Sequence, residues 1–259
     1  MNTSTRRFDI MLAVRRIVAV VVLLALWQLV ISLNLAPSMT PGAWDVLTSI
    51  WEVLISATFW GALLQTVTAA LAGWAIAAVA GIVLGLLIGA MPPVDRATSV
   101  LVDFGRSFPV IALMPVVIML LGTNIRMEIV IVALSCLWPV LVQTIYGSRR
   151  LESAVSDTVK VFRIPRPLYF RRVLLPSATP FIATGLRIAA SISILIAVSV
   201  EVISQTPGMG RQITLAQELQ KWDVAFAYLF FAGLLGWGIA TGLSALEKRL
   251  LKWNRLSDD

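Results

Sequence analysis

The 259-residue chain has no histidine and a single cysteine, Cys136. Without histidine there is no imidazole proton shuttle, no histidine-ligated metal centre and no Ser-His-Asp set. A lone cysteine closes no disulfide within the chain, and its place inside an apolar run reads as packing. Lysine is scarce as well. None of the lysines follows a glycine, so the phosphate-cradling loop G-x-x-x-x-G-K-[ST] is missing. Charged residues make up only 14%, against about 25% in an average soluble domain. The sequence has no metal-ligand cluster and no carboxylate pair at catalytic spacing. These absences argue against an enzyme active site, and no cofactor is expected in this chain.

What is abundant is apolar: 58% of residues, with a mean hydropathy of +0.87. A soluble protein of this length would have more core than it could cover. Six stretches are long enough for a bilayer, which needs about 20 residues. They are Ile17–Leu33, Gly61–Ala90, Ser99–Leu121, Glu128–Tyr146, Pro180–Ile203 and Val224–Leu246. The chain is therefore expected to be an all-α polytopic membrane protein with six transmembrane helices. The first stretch has no small-x-small cleavage site after it, so it is read as a retained helix.

Basic residues orient the spans. With the N-terminus cytoplasmic, 16 Lys and Arg fall on the cytoplasmic side and three (Arg126, Arg211 and Lys221) on the other. Both termini are expected inside. The net charge of +7 then reports topology and lipid contact, and nucleic-acid binding is not expected.

Three local patterns stand out. In 41–57, Trp44, Leu47, Trp51 and Leu54 share one helical side, which reads as an amphipathic helix on the outer membrane surface. Ala77, Gly81, Gly85 and Gly89 in the second span, and Gly238 and Gly242 in the last, are spaced four apart and read as close helix packing. Asp103 and Arg106, three apart, are placed to pair on one helix.

Ionisable groups within spans need a reason to be there. Glu201 lies near the outer end of the fifth span, with Ser191 and Val198 on its helical side. Two readings are open: it orders a pathway or its outer gate, or it is a structural carboxylate. Arg187 is 14 residues earlier, about 21 Å along the helix, too far to pair with it. Pro109 and Pro115 are expected to bend the third span.

The longest polar interruption, Arg149–Arg172, separates the fourth and fifth spans. Residues 152–162 fit a short helix whose apolar stripe is Val155, Val159 and Phe162, stopped by Pro165 and Pro167. Such a stripe needs a protein partner or a headgroup surface to lie on.

The flanks of this loop carry a resemblance. Phe170-Arg-Arg-Val-Leu-Leu-Pro176, then Pro180-Phe-Ile182 and Gly185-Leu-Arg-Ile-Ala189, are similar to the permease subunits of ATP-binding-cassette importers, in the branch that takes up nitrate, sulfonates and taurine. Val200-Glu201, Pro207-Gly-Met-Gly210, and Arg106-Ser-Phe-Pro109 followed by Ala112-Leu-Met-Pro115 match as well. The family's E-A-A and glycine fall on Asp157-Thr158-Val159 and Arg163, so only the carboxylate is retained.

The resemblance implies a type I importer permease fold over 1–259 as one domain, in the bacterial inner membrane. It implies a homodimer or a pair with a close paralogue, two ATPase subunits holding ATP and Mg, and an extracytoplasmic binding protein. The coupling region, 150–165, would present Glu152, Val155, Asp157, Thr158, Val159, Phe162 and Arg163 to the ATPase. Arg106, Pro109, Arg187, Ser191, Val198 and Glu201 would line the pathway or its gate. A self-sufficient secondary transporter or channel is the alternative, although no inverted repeat relates the two halves.

Overall fold

The structure is a computed structural model that describes residues 3–37, 39–149, 159, 161–162 and 164–250. Among the described residues there is no strand. In lipid, only helices and closed barrels satisfy every backbone polar group, and near-continuous apolar runs leave the helix as the solution. The helices are α1 (Thr3–Ser32), α2 (Ala43–Ile55), α3 (Ala57–Ala90), α4 (Pro92–Ser107), α5 (Met114–Leu121) and α6 (Ile125–Arg149). They continue with α7 (Arg166–Tyr169), α8 (Leu175–Ser204), α9 (Met209–Glu218) and α10 (Trp222–Leu250). A 3-10 turn, Val110–Leu113, precedes α5, and a π-helical turn, Phe170–Leu174, leads into α8.

Among the described residues, five helices are long and apolar enough to cross a membrane, within α1, α3, α6, α7–α8 and α10. The third expected span is different. Instead of one bent helix over Ser99–Leu121, the chain forms α4 and α5, set 85° apart across a break. Proline chemistry explains the break. Phe108 precedes Pro109 and is held extended at φ −75°, ψ 130°, so α4 ends one residue earlier. Pro109 itself is extended, and Pro115 sits in the first turn of α5, where its missing N–H costs nothing. α5 ends at Gly122, whose φ of +74° suits glycine. Counting the bent pair as one, the candidate spans among the described residues number six.

The chain packs as two compact units. The first comprises Met1–Trp60 and Gln212–Phe230. Here the Gln28 side-chain oxygen accepts the N–H of Ala43 at 2.9 Å, and Asp45 accepts the N–H of Gly42 at 3.2 Å, which satisfies the start of α2. Ser49 donates to Asp223 at 2.5 Å. The inner side of α2 is Ala43, Val46, Ser49 and Val53. Trp44 and Trp51, on the amphipathic stripe, are 71% and 64% exposed.

The second unit comprises Gly61–Arg211 and Phe231–Asp259. Its core is the seam where α6 packs along α3 and α8. A Cβ added at Gly81, Gly85 or Gly89 would lie 2.9, 2.6 or 2.5 Å from the Cβ of Val140, Thr144 or Ser148. The small-residue stripe of α3 thus admits α6 at backbone distance. On its other side, α6 presents the Cys136 thiol to the Ala189 carbonyl at 3.2 Å, and Trp74 of α3 donates to the Leu186 carbonyl at 3.0 Å. Gly238 and Gly242 differ from that stripe: among the described residues nothing lies within 4 Å of a Cβ added there. The spacing marks them as small, but whether a helix packs on them depends on what stands opposite.

Gly85→Leu is expected to destabilise the protein by about 1–3 kcal/mol or more, because the added chain meets Thr144 and the α6 backbone. Thermal unfolding in detergent measures it, and an unchanged midpoint would remove the seam from the account.

Candidate functional site

The site builds from one carboxylate. α8 is apolar for most of its length, yet Glu201 lies in its last turn and is 0% exposed. Such a group is retained only when it is well partnered. α8 stops at Gln205, which adopts a left-handed conformation at φ 58° and turns the chain back. Pro207-Gly208-Met209-Gly210 then folds over the helix end. There the Gly210 N–H donates to Glu201 Oε2 at 2.7 Å. The Met209 N–H donates to Thr66 Oγ1 at 2.9 Å, so α3 holds the same turn. The Thr66 hydroxyl has one proton to give, with the Ala62 carbonyl at 3.1 Å and the Glu201 carboxyl both in reach.

Both glycines of the turn allow close approach, and at Gly210 the contact is with backbone. A Cβ at Gly208 would collide with the Glu201 carboxyl, and one at Gly210 with the Val198 carbonyl. The sequence shows glycines here, while the structure shows that they let a backbone N–H reach a buried carboxylate.

The second acid of the site is Glu128, 1% exposed, in the first turn of α6. Its carboxyl lies close to Glu201 and to Thr206. Sequence reasoning missed it, and the cause is specific. Asn124 caps α6, accepting from the N–H groups of Arg126 at 2.9 Å and Met127 at 3.2 Å. An acid in the first turn of a capped helix looks like an ordinary partner for the helix dipole. Only the packing of α6 on α8 brings it to Glu201.

The other expected pathway residues do not gather here. Arg187 pairs with Glu247 of α10 at 3.2 Å. Ser191 is half-buried and donates to the Arg187 carbonyl at 3.4 Å. Val198 is half-buried and meets Gly210 through its carbonyl. Arg106 pairs with Asp103 at 3.0 Å as the spacing requires, and Pro109 stands exposed at the α4–α5 break.

Arg106 and Asp103 line a separate cavity of about 180 Å³ between α4 and α6, with Asp95, Ser99, Tyr146 and Arg149. Arg149 and Asp95 form a second ion pair across it. Its charged groups are balanced, two acids and two bases, and Val102, Val142 and Ile145 complete the lining.

In the coupling region, Glu152, Val155, Asp157, Thr158 and Arg163 lie outside the described residues. Val159 is helical and half-buried, and its carbonyl accepts the Ile164 N–H at 3.1 Å. Phe162 and its neighbour Val161 are 75% and 76% exposed.

Residues 78–255 match the family described as binding-protein-dependent transport system inner membrane component. The chain belongs to that family. The matched region of this inner membrane component contains Glu128, Glu201 and the Pro207–Gly210 turn; Thr66 precedes it. The bicarbonate transport system permease protein of Synechocystis is 29% identical over 68% of this chain and 63% of its own length. The putative aliphatic sulfonates transport permease protein of Escherichia coli is 29% identical over 90% of this chain and 89% of its own. A solved chain of the inward-facing MetNI methionine ABC transporter superposes with a TM-score of 0.60 at 17% identity, covering 80% of this chain and 96% of that one. It shares the fold. The family member described here is thus a multi-pass inner membrane protein with a permease fold.

Proposed function

We propose that this chain is the membrane-spanning permease subunit of an ATP-driven importer for a small solute of the nitrate, bicarbonate, sulfonate or taurine kind. The carrying observation is the family match over residues 78–255. Two copies of the chain, or this chain with a close paralogue, line one pathway. Two ATPase subunits, which hold ATP and Mg, dock on the loop between α6 and α8, and an extracytoplasmic binding protein delivers the solute. The 16-to-3 distribution of basic residues supports placing both termini and that loop in the cytoplasm. The exposed pair Val161 and Phe162 supports docking, because large apolar side chains on a polar loop are favourable only when a partner covers them.

On this reading the Glu201 cluster lies at the extracytoplasmic end, under the turn that faces the binding protein. The charge-balanced cavity between α4 and α6 lies toward the cytoplasm. ATP-driven closure of the ATPases draws the coupling regions together and turns the pathway outward; hydrolysis resets it. The ion pairs Arg187–Glu247 and Arg106–Asp103 keep their charges compensated within the protein.

The test is cross-linking. Cys136 is buried, so Cys136→Ala with Phe162→Cys leaves one accessible thiol. That thiol is expected to cross-link to a co-purified ATPase subunit, and uptake in proteoliposomes is expected to require ATP. Solute uptake by the chain alone, without any ATPase, would replace this reading with a self-sufficient transporter.

A further inference from the structure

We propose that the cavity between α4 and α6 is a binding site for a small zwitterion, a solute with one oxyanion group and one ammonium group on a short chain. The inference rests on the permease reading above and narrows its solute class. α4 runs antiparallel to α6 along this cavity. Asp95, in the first turn of α4, pairs with Arg149, in the last turn of α6. A Cβ added at Gly105 would strike the Trp138 ring, near the middle of α6. The cavity between these two contacts measures about 180 Å³. A pocket for drug-sized molecules has roughly 300–1,000 Å³, so this one suits a solute of few heavy atoms.

Depth makes the cavity aqueous. Asp103 and Arg106 lie on either side of Gly105, and so beside the middle of a membrane-spanning helix. Their side chains are nevertheless 66% and 52% exposed. Charged groups at such depth face a bundle interior or a water-filled space, because lipid solvates them poorly. The side of α4 that carries them therefore opens on water. Both ion pairs also lean into the cavity, since helical side chains tilt toward the N-terminus of their own helix. On α4 that tilt carries Asp103 and Arg106 toward Asp95. On the antiparallel α6 it carries Arg149 toward Trp138.

The charge pattern selects the ligand. Asp95, Asp103, Arg106 and Arg149 give the cavity both signs and no net charge. A lone anion meets two carboxylates there, and a lone cation meets two guanidiniums; like charges brought together reject both. A zwitterion enters without changing the net charge and finds a partner for each end. The bond from Arg106 to Asp103, at 3.0 Å, takes up Nε, one of five N–H donors. The guanidinium fork can thus meet an oxyanion while the ion pair stays intact. A carboxylate accepts at about four positions, which leaves room for an ammonium beside its arginine. Val102, Val142 and Ile145 form an apolar wall for the short chain between the two charges.

The experiment is thiol protection in the full chain in detergent micelles. Cys136 is buried and is replaced by alanine, and Ser99→Cys then puts one accessible thiol on the cavity wall. A water-soluble thiol reagent is expected to label it, and taurine is expected to slow the labelling. Ethanesulfonate and ethylammonium each lack one of taurine's two charges. At matched ionic strength each is expected to need about tenfold more, or beyond, for the same protection. Asp103→Asn in this background removes one acid and is expected to shift the preference from taurine to ethanesulfonate, a switch that a purely structural role would not produce. A thiol that stays unlabelled without solute overturns the proposal, because the space is then not aqueous. So does taurine that gives no protection, or ethanesulfonate or nitrate that protects equally well, which would make this a plain anion site. An Asp103→Asn variant that keeps the original order of ligands overturns it too. Should that variant fail to fold, the ligands tested on the Ser99→Cys protein decide alone. The assay needs neither ATPase nor uptake, so loss of protection leaves the permease reading standing, and failure of that reading leaves the protection interpretable.

Discussion

Phe162→Asp is expected to abolish coupled uptake while leaving the permease folded. Phe162 is 75% exposed and Val161 beside it 76%, so neither holds this chain together. Substitution at so exposed a position changes stability by about 0.5 kcal/mol or less. On a docked ATPase the same ring would be buried, which contributes about 1.5–3 kcal/mol. Aspartate forfeits that and adds a carboxylate that must be desolvated in the contact. Every 1.4 kcal/mol is about a factor of ten in affinity, so ATPase binding should weaken by roughly ten- to a hundredfold or more. The measurement is ATP-dependent uptake beside ATPase activity in proteoliposomes. Uptake is expected to fall to background while the ATPase keeps its basal rate. Wild-type coupling in this variant would remove Phe162 from the docking surface and leave it a loop residue against the headgroups.

The second large effect is expected at Gly210. Its added Cβ meets the Val198 carbonyl, with the Glu201 Cβ at 2.7 Å and the Val202 nitrogen at 2.9 Å. Two of these three contacts are backbone, so no rotamer change relieves them. The turn must lift, and with it goes the Gly210 N–H bond to the Glu201 carboxyl, worth about 1.5–3 kcal/mol for a charged acceptor. Gly210→Ala is therefore expected to lower the thermal midpoint sharply. Gly61→Ala is the contrasting case, because among the described residues nothing lies within 4 Å of a Cβ there. In the helix interior that change is expected to stabilise by about 0.5–1 kcal/mol. Equal effects of the two substitutions would mean that the turn is not packed as described.

Much of this molecule is legible without its structure because the bilayer imposes a one-dimensional rule. Apolar length maps to span. The pair Asp103–Arg106 is legible for the same reason, since an i, i+3 relation on one helix needs no knowledge of any other element. The stripe Gly81, Gly85, Gly89 marks a close contact but leaves open which helix makes it. Gly238 and Gly242 have the same spacing, yet among the described residues nothing lies within 4 Å of a Cβ added there.

The sequence by itself determined an all-helical membrane protein, the positions of its spans, the loop that interrupts them and the family they resemble. Each of these follows from local composition and spacing. Only the tertiary structure decided that the third span breaks through 85°, that Arg187 is matched by Glu247, and that Glu128 meets Glu201 under a glycine turn. The two acids are 73 residues apart, and each alone has an ordinary explanation. What makes them a site is the packing of α6 on α8. That packing depends on side chains fitting across two surfaces, which no periodicity within either helix encodes.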